Sequence, residues 1–240
     1  MNKLGLSLSS ALLGLSFSAS AAPIVELFTS QGCYSCPPAD EHLGDIIKNN
    51  PEVVALEYHV DYWDQLVYGS AGVWKDPFSD PAYTVRQRLY NQNDLAGKRG
   101  VYTPQMIVNG NTAQVGTSRR AVRKALDKAP PDVKISAAYA DNKVSVDIEG
   151  REGEESILWL AIFDRLQVTD VPTGENHGKT MVNHHVVREL VPLGRWGGDT
   201  VSASFPIAAN MHSPGGEGSG CAVLLQDEDH GPILGASYCN

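Results

Sequence analysis

Beyond residue 22 the chain lacks any apolar run long enough to cross a bilayer, for which about 20 residues are needed. It also lacks an excess of positive charge. Nineteen Lys and Arg against 28 Asp and Glu leave a formal net charge of −9, which argues against nucleic acid and anionic membrane surfaces as partners. Cysteine is sparse, with four in 240 residues. A structural zinc site ordinarily draws on two Cys-x-x-Cys pairs; Cys33 and Cys36 have that spacing and Cys221 and Cys239 do not, so zinc is the weaker reading. Covalent haem attachment needs His directly after the second cysteine, and Pro37 stands there.

What is present starts at the N-terminus. Lys3, an apolar and small-residue run over 4–17, and Ala19 and Ala21 at small-x-small spacing predict a secretory signal peptide over 1–21. The mature chain is then expected to be exported, periplasmic or secreted, without a membrane span. Four cysteines in an oxidising compartment suggest two pairs, Cys33 with Cys36 and Cys221 with Cys239.

The first pair is the centre of the sequence. An apolar run at 24–28 leads into Gly32-Cys33-Tyr34-Ser35-Cys36-Pro37-Pro38, and an amphipathic segment with Leu43, Ile46 and Ile47 on one face follows. This reads as strand, dithiol turn and helix. The first turn of a helix favours a thiolate through its dipole and unpaired N–H groups, so Cys33 is read as the nucleophile and Cys36 as the resolving thiol. Glu26, the one acid inside the apolar strand, is a candidate proton acceptor during exchange or else a hydrogen-bonded strand acid.

A second strand over 53–63 carries Glu57, His59 and Asp61 on one face, either a proton relay or a structural ion pair. The stretch at about 64–100 has aromatic and helical character, with Trp74, Phe78, Tyr83 and Tyr90, and reads as an insertion that covers the dithiol or forms a small core of its own. Thr103-Pro104 then opens a strand, with Pro104 a strand-start or cis proline; Asn109-Gly110 signals a hairpin, and a helix over 118–128 closes this part before Pro130-Pro131.

This order resembles the thioredoxin fold. More closely, the stretch from Glu26 through Cys33 and Cys36 to Asp40, with His59-Val60-Asp61-Tyr62-Trp63-Asp64, Lys75-Asp76-Pro77-Phe78 and Tyr102-Thr103-Pro104-Gln105-Met106, resembles a family of exported thioredoxin-like proteins. That family is described as a domain of unknown function and joins this unit to a C-terminal β domain. The resemblance implies that Cys33 attacks, that Cys36 resolves, and that Pro104, in cis, faces the dithiol while Thr103 presents its backbone to an extended substrate. Tyr34-Ser35 between the cysteines departs from the Gly-Pro of thioredoxin, so the direction of electron flow does not carry over.

From residue 133 the pattern alternates, with strands expected over 133–139, 144–148, 157–164, 184–190, 201–207, 221–226 and 233–239. The expected architecture is an α/β thioredoxin-like domain over 22–130 followed by an all-β sandwich-like domain over 131–240. Cys221 and Cys239 flank the last hairpin symmetrically about His230, which reads as a structural disulfide. His177, His184 and His185 lie near two loop ends and are candidates for copper or zinc, although adjacent strand residues face opposite sides and do not readily share a metal; the 174–180 loop is equally a candidate contact for the thioredoxin-like unit near Cys33.

The reading that follows is a thiol–disulfide oxidoreductase acting on protein or peptide thiols and disulfides without a bound cofactor. One alternative is a copper(I)-handling module using Cys33, Cys36 and His59; another is a non-catalytic binding protein with a permanent disulfide. Nothing in the chain specifies an oligomeric state.

Overall fold

The computed structural model describes residues 21–240 apart from 68, 94, 129–130, 151–154, 209–210, 212–213 and 215–217. Of the expected signal peptide, residues 1–20 therefore lie outside the described residues. No helix among the described residues is long and apolar enough to cross a membrane.

Strand β1 (Ile24–Thr29) leads through the dithiol loop into helix α1 (Pro37–Asn49), which returns the chain to β2 (Val54–His59), parallel to β1 with Thr29 opposite His59. Two prolines start α1 at little cost, because backbone donors at that point have no intrahelical acceptor. Helix α2 (Pro81–Gln92) is capped by the Asp80 side chain, which accepts from the Ala82 N–H. A short β3 (Ala96–Gly97) precedes the hairpin of β4 (Gln105–Val108) and β5 (Thr112–Val115). At its turn, Asn109 and Gly110 both take positive φ, 50° and 68°, as the Asn-Gly signal requires. Helix α3 (Arg119–Leu126) ends this half.

The second half consists of strands: β6 (Ile135–Ala140), β7 (Lys143–Ile148), β8 (Ser156–Val171), β9 (Lys179–Trp196), β10 (Val201–Pro206), β11 (Ser219–Asp227) and β12 (Ile233–Tyr238). They do not build a sandwich of their own. A mixed nine-stranded sheet runs in the order β12-β11-β8-β9-β2-β1-β4-β5-β3, and a three-stranded sheet in the order β10-β7-β6 packs beside it. The expected α/β thioredoxin-like domain followed by a β-sandwich-like domain is therefore corrected. The two halves share one sheet, joined where Glu57 of β2 pairs in parallel with Val186 of β9.

The reason lies in β8 and β11, which are apolar on both faces. Ala161, Phe163, Ala222 and Leu224 pack with Phe28, Tyr58 and Tyr90 on one face of the large sheet. Leu160, Ile162, Val223 and Leu225 pack on the other, with Val144 and Val146 of β7. Strands with two buried faces belong in the middle of a sheet, and the free edge of β2 lets them be there. On the first half, α1 and α3 cover a third cluster built from Val25, Leu27, Leu43 and Met106.

Candidate functional site

The loop between β1 and α1 is a succession of tight turns. The Cys33 N–H donates to Ser30 O (3.1 Å), the Cys36 N–H to Cys33 O (3.1 Å), and the N–H groups of Ala39 and Asp40 both to Cys36 O. These turns bring the two cysteines to a Cα separation of 5.4 Å and close a disulfide between them. Cys36 is the N-cap residue of α1. Pro37 and Pro38 have no N–H, and the next two donors are already used, so the dipole of the helix is the main influence favouring a thiolate here. Both cysteines are wholly buried, so burial does not rank one above the other, whereas Tyr34 between them is 63% exposed.

The cover comes from the far end of the chain. The tip of the β8–β9 hairpin lies over the loop, and buried Asn176 donates from its side-chain amide to the backbone oxygens of Gln31 and Cys33, both at 2.9 Å. Glu175 accepts from the Tyr34 N–H (2.7 Å). Lys179 sits over the Tyr34 ring, 4.4 Å from its centre, and donates to Asn176 Oδ1. From the stretch before α2, Trp74 donates to Gln31 Oε1, and Asp76 accepts from the Gln31 N–H at 2.7 Å.

Behind the loop, between α1 and the sheet, four ionisable side chains are buried together: Asp40, Glu57, His59 and Asp76. His59 Nδ1 donates to Asp76 Oδ2 (2.7 Å), while its Nε2 lies 3.2 Å from Glu57 Oε1, a close charge contact without hydrogen-bond alignment. Burial disfavours the imidazolium, but the charge and hydrogen bond of Asp76, together with Glu57, overcome this and raise the His59 pKa to about 10. Burial likewise opposes the Asp76 carboxylate, and the charge and hydrogen bond of His59 hold its pKa below the ordinary value. Asp40 is shifted the other way. Burial first and the charge of Glu57 second raise its pKa well above the usual range, against a hydrogen bond from Thr29 (2.7 Å), and its Oδ2 has no partner. Glu57 is held by Asn183 Nδ2 and the His184 N–H, both at 2.7 Å.

The other residues singled out in the sequence fall around this centre at different removes. Thr103-Pro104 is a cis peptide. Thr103 Oγ1 accepts from Trp63 Nε1 (2.8 Å), and Trp63 also packs on Gly32, where a Cβ would come within 3.1 Å of it, so Trp63 links the two segments. Glu26 points to the opposite face of the sheet from its neighbour Leu27, which packs against α1. Its carboxylate is bound to Arg86 Nε (2.8 Å) and by a short hydrogen bond to the Tyr90 hydroxyl. Asp61 lies outside the His59 cluster and accepts from Thr84 Oγ1. Of the aromatics at 64–100, Trp74 and Phe78 cover the loop and the His59 ring, whereas Tyr83 and Tyr90 join the core of the large sheet, with Phe28, Tyr58 and Phe163, rather than forming a small core of their own.

Cys221 and Cys239 form a disulfide across β11 and the residue after β12, with Cα atoms 5.3 Å apart. Two disulfides are consistent with an oxidising location. His184 packs against Gly44 of α1, and His185 is buried with its ring 4.4 Å from Phe163, so this pair does not converge. Among the described residues, no group of three or more His, Cys, Asp or Glu is placed to hold a metal ion.

Sequence reasoning missed Asp40 and Asp76 as site residues, and it pointed to the 174–180 loop without giving Asn176 a role of its own. For Asp40 a signal exists, because 36, 40 and 43 share a helical face with the apolar residues of α1. The contact expected between the 174–180 loop and the neighbourhood of Cys33 is made, and Asn176, 143 residues from Cys33 in sequence, is the residue that makes it.

Comparison with known proteins gives kinship without a reaction. The chain is similar to the crystal structure of protein AGR_C_4864 from Agrobacterium tumefaciens, with 36% identity, a TM-score of 0.76, and coverage of 92% of this chain and 95% of that one. It is also similar in fold to HBP35 of Porphyromonas gingivalis, at 11% identity and a TM-score of 0.61, over 92% of this chain and 75% of that one. No curated protein matches. A family model spans residues 24–226, from β1 through the dithiol loop into β11 of the shared sheet, and the chain belongs to that family, described as protein of unknown function (DUF1223).

Proposed function

We propose that the protein is an exported thiol–disulfide oxidoreductase acting on protein or peptide thiols through the Cys33–Cys36 disulfide. The observation that carries this reading is the disulfide itself, closed between the N-cap of α1 and the loop before it and backed by a buried carboxyl, Asp40, with a raised pKa. Export is supported by the apolar leader and by the two disulfides.

In the oxidising direction a substrate thiolate attacks Cys33 Sγ. The Cys33–Cys36 bond breaks, a substrate–Cys33 disulfide forms, and Cys36 leaves as a thiolate at the start of α1. A second substrate thiol then displaces Cys33. The substrate dithiol becomes a disulfide, the protein disulfide becomes two thiols, and the two protons lost by the substrate pass to the cysteines. The reducing direction is the reverse. In either direction the cysteines must first become accessible, because both are wholly buried, and the hairpin tip bonded to the Cys33 backbone through Asn176 is the segment whose movement we infer exposes them.

The test is the reduction potential of the Cys33–Cys36 pair, obtained by equilibrating the mature protein in glutathione buffers and counting trapped thiols by mass. A midpoint between roughly −120 and −270 mV supports catalysis and gives its direction. A midpoint below about −300 mV marks a structural bridge and overturns the reading. Loss of insulin-reduction or thiol-oxidation activity in Cys33→Ser is the companion expectation.

A further inference from the structure

The hairpin of β8 and β9 leaves apolar side chains in solvent. Leu166 and Val168 of β8 and Val182 of β9 are 53%, 60% and 44% exposed. Val168 stands opposite Val182, and Leu166 stands opposite His184. Residues opposite one another, or two apart along one strand, share a face, so the three side chains form one patch. Single apolar residues on a surface need no explanation, whereas a contiguous group marks a place of contact.

The patch is continuous with the dithiol loop. Thr180, Val182 and His184, which share that face of β9, line a cleft of about 380 Å³ whose other wall is the start of α1, with Pro37 and Glu41. Pro37 directly follows Cys36. Lys179 lines the same cleft and lies over the ring of Tyr34, the exposed residue between the cysteines. Accessible surface therefore leads from Tyr34 across Lys179 and the cleft to Val182, Val168 and Leu166. An extended chain suits such a path, because its side chains project at regular intervals and can enter a cleft and lie on a patch one at a time.

Charge narrows the occupant. Glu41 is exposed in the cleft, Asp170 is exposed on the hairpin opposite Thr180, and Glu175 binds the Tyr34 N–H where the path begins. Lys179 is already engaged, by the Tyr34 ring and by Asn176 Oδ1. The border is acidic, which favours a basic segment over an acidic one.

We propose that this surface docks the substrate of the dithiol, and that the substrate is an extended polypeptide segment with apolar and basic residues beside its cysteine. The apolar side chains lie in the cleft and on Val182, Val168 and Leu166, with the cysteine placed at Tyr34. The proposal rests on the reading of Cys33–Cys36 as the exchanging pair and adds to it the class of polypeptide taken.

The experiment is fluorescence anisotropy of the intact, oxidised protein with a short fluorescein-labelled peptide in which Leu, Val and Lys flank one Ser. Serine stands where a substrate has cysteine, so docking is read without exchange. Saturable binding is expected, weakened about tenfold when Leu and Val are replaced by Ser and Asn or when the protein carries Val168→Asp, the scale of one buried valine side chain. Replacing Lys by Glu should also weaken it. Val85→Asp, at an exposed position of α2 on the other side of the sheet, should leave the affinity unchanged. No saturable binding overturns the proposal, as does equal affinity for the polar or the acidic peptide; these comparisons need no variant and decide the matter even where Val168→Asp does not fold. The cysteine forms of the peptides separate the two readings. Docking without thiol exchange keeps the surface and overturns the redox reading, whereas exchange at equal rates with the apolar and polar peptides keeps the redox reading and overturns the surface.

Discussion

Asn176 donates its side-chain amide to the backbone oxygen of Cys33 across 143 residues of sequence. A hairpin tip from the strand-rich half is thereby fastened to the dithiol loop of the helical half, and both cysteines are wholly buried.

Asn176→Ala removes the hydrogen bonds to Gln31 O and Cys33 O and leaves two carbonyl oxygens to find water. A lost buried partner costs about 1–3 kcal/mol, so the tip should open more often. Reduction of Cys33–Cys36 by dithiothreitol, followed by alkylation and mass, should speed up by about fivefold or more. An unchanged rate means the tip does not control access.

Glu26 and Arg86 form a buried pair, 0% and 5% exposed, that ties β1 to α2. Arg86→Met leaves a buried carboxylate without its cation and should destabilise the protein by about 3–5 kcal/mol in urea unfolding. Adding Glu26→Leu should restore much of that loss, because the unpaired charge is gone. If the double variant is as unstable as the single one, packing rather than charge dominates at this position.

Buried histidines give stability a pH dependence of opposite sign on either side of about 6.5, with His59 on the alkaline side and His185 the most strongly shifted on the acid side. His59 holds its proton in the folded state up to about 10, so its contribution is complete below 6.5 and is lost as pH rises towards 10. His185, its pKa lowered to about 4 chiefly by burial, stays neutral when folded; its contribution is present above 6.5 and is lost as pH falls towards 4. Urea unfolding from pH 4 to 10 should show both arms. His185→Asn should make the acid arm shallower, with His42, also lowered chiefly by burial, supplying part of what remains, and leave the alkaline arm; a profile with the arms exchanged would contradict the assignment.

Gly116 occupies a close approach at the site. A Cβ there would lie 2.8 Å from Ala39 Cβ and 3.2 Å from both Leu27 Cδ1 and Pro104 Cβ. Gly116→Ala should cost roughly 1–3 kcal/mol by forcing the start of α1 away from the Pro104 segment. Ala39→Gly in the same chain should relieve part of it, which thermal unfolding of the two variants will read directly.

Much of the local structure was legible in the residues. The strand–dithiol–helix order, the Asn109-Gly110 turn, the prolines opening α1, and the Cys221–Cys239 bridge each rest on short-range chemistry that a few neighbouring residues express. The joining of the two halves was not read, although its trace is there. The run 157–163 is apolar on alternate sides as well as continuous, the pattern of a strand covered on both faces, and such a strand needs neighbours beyond its own hairpin. The site divides in the same way. Cys33, Cys36 and the cis proline follow from motif and spacing. The clasp of Asn176, the pairing of His59 with Asp76, and the commitment of Glu26 to Arg86 depend on which strand lies beside which, and no local pattern reports that.

The Glu57–Val186 pairing also bears on how the protein is handled at the bench. A recombinant fragment ending near residue 130 retains the cysteine motif but exposes the bare edge of β2, together with Phe28 and Tyr58, which in the whole chain pack beside Ala161, Phe163 and Leu224. Such a fragment offers other chains an open strand and an oily flank, so its poor behaviour in a redox assay would reflect clumping rather than chemistry.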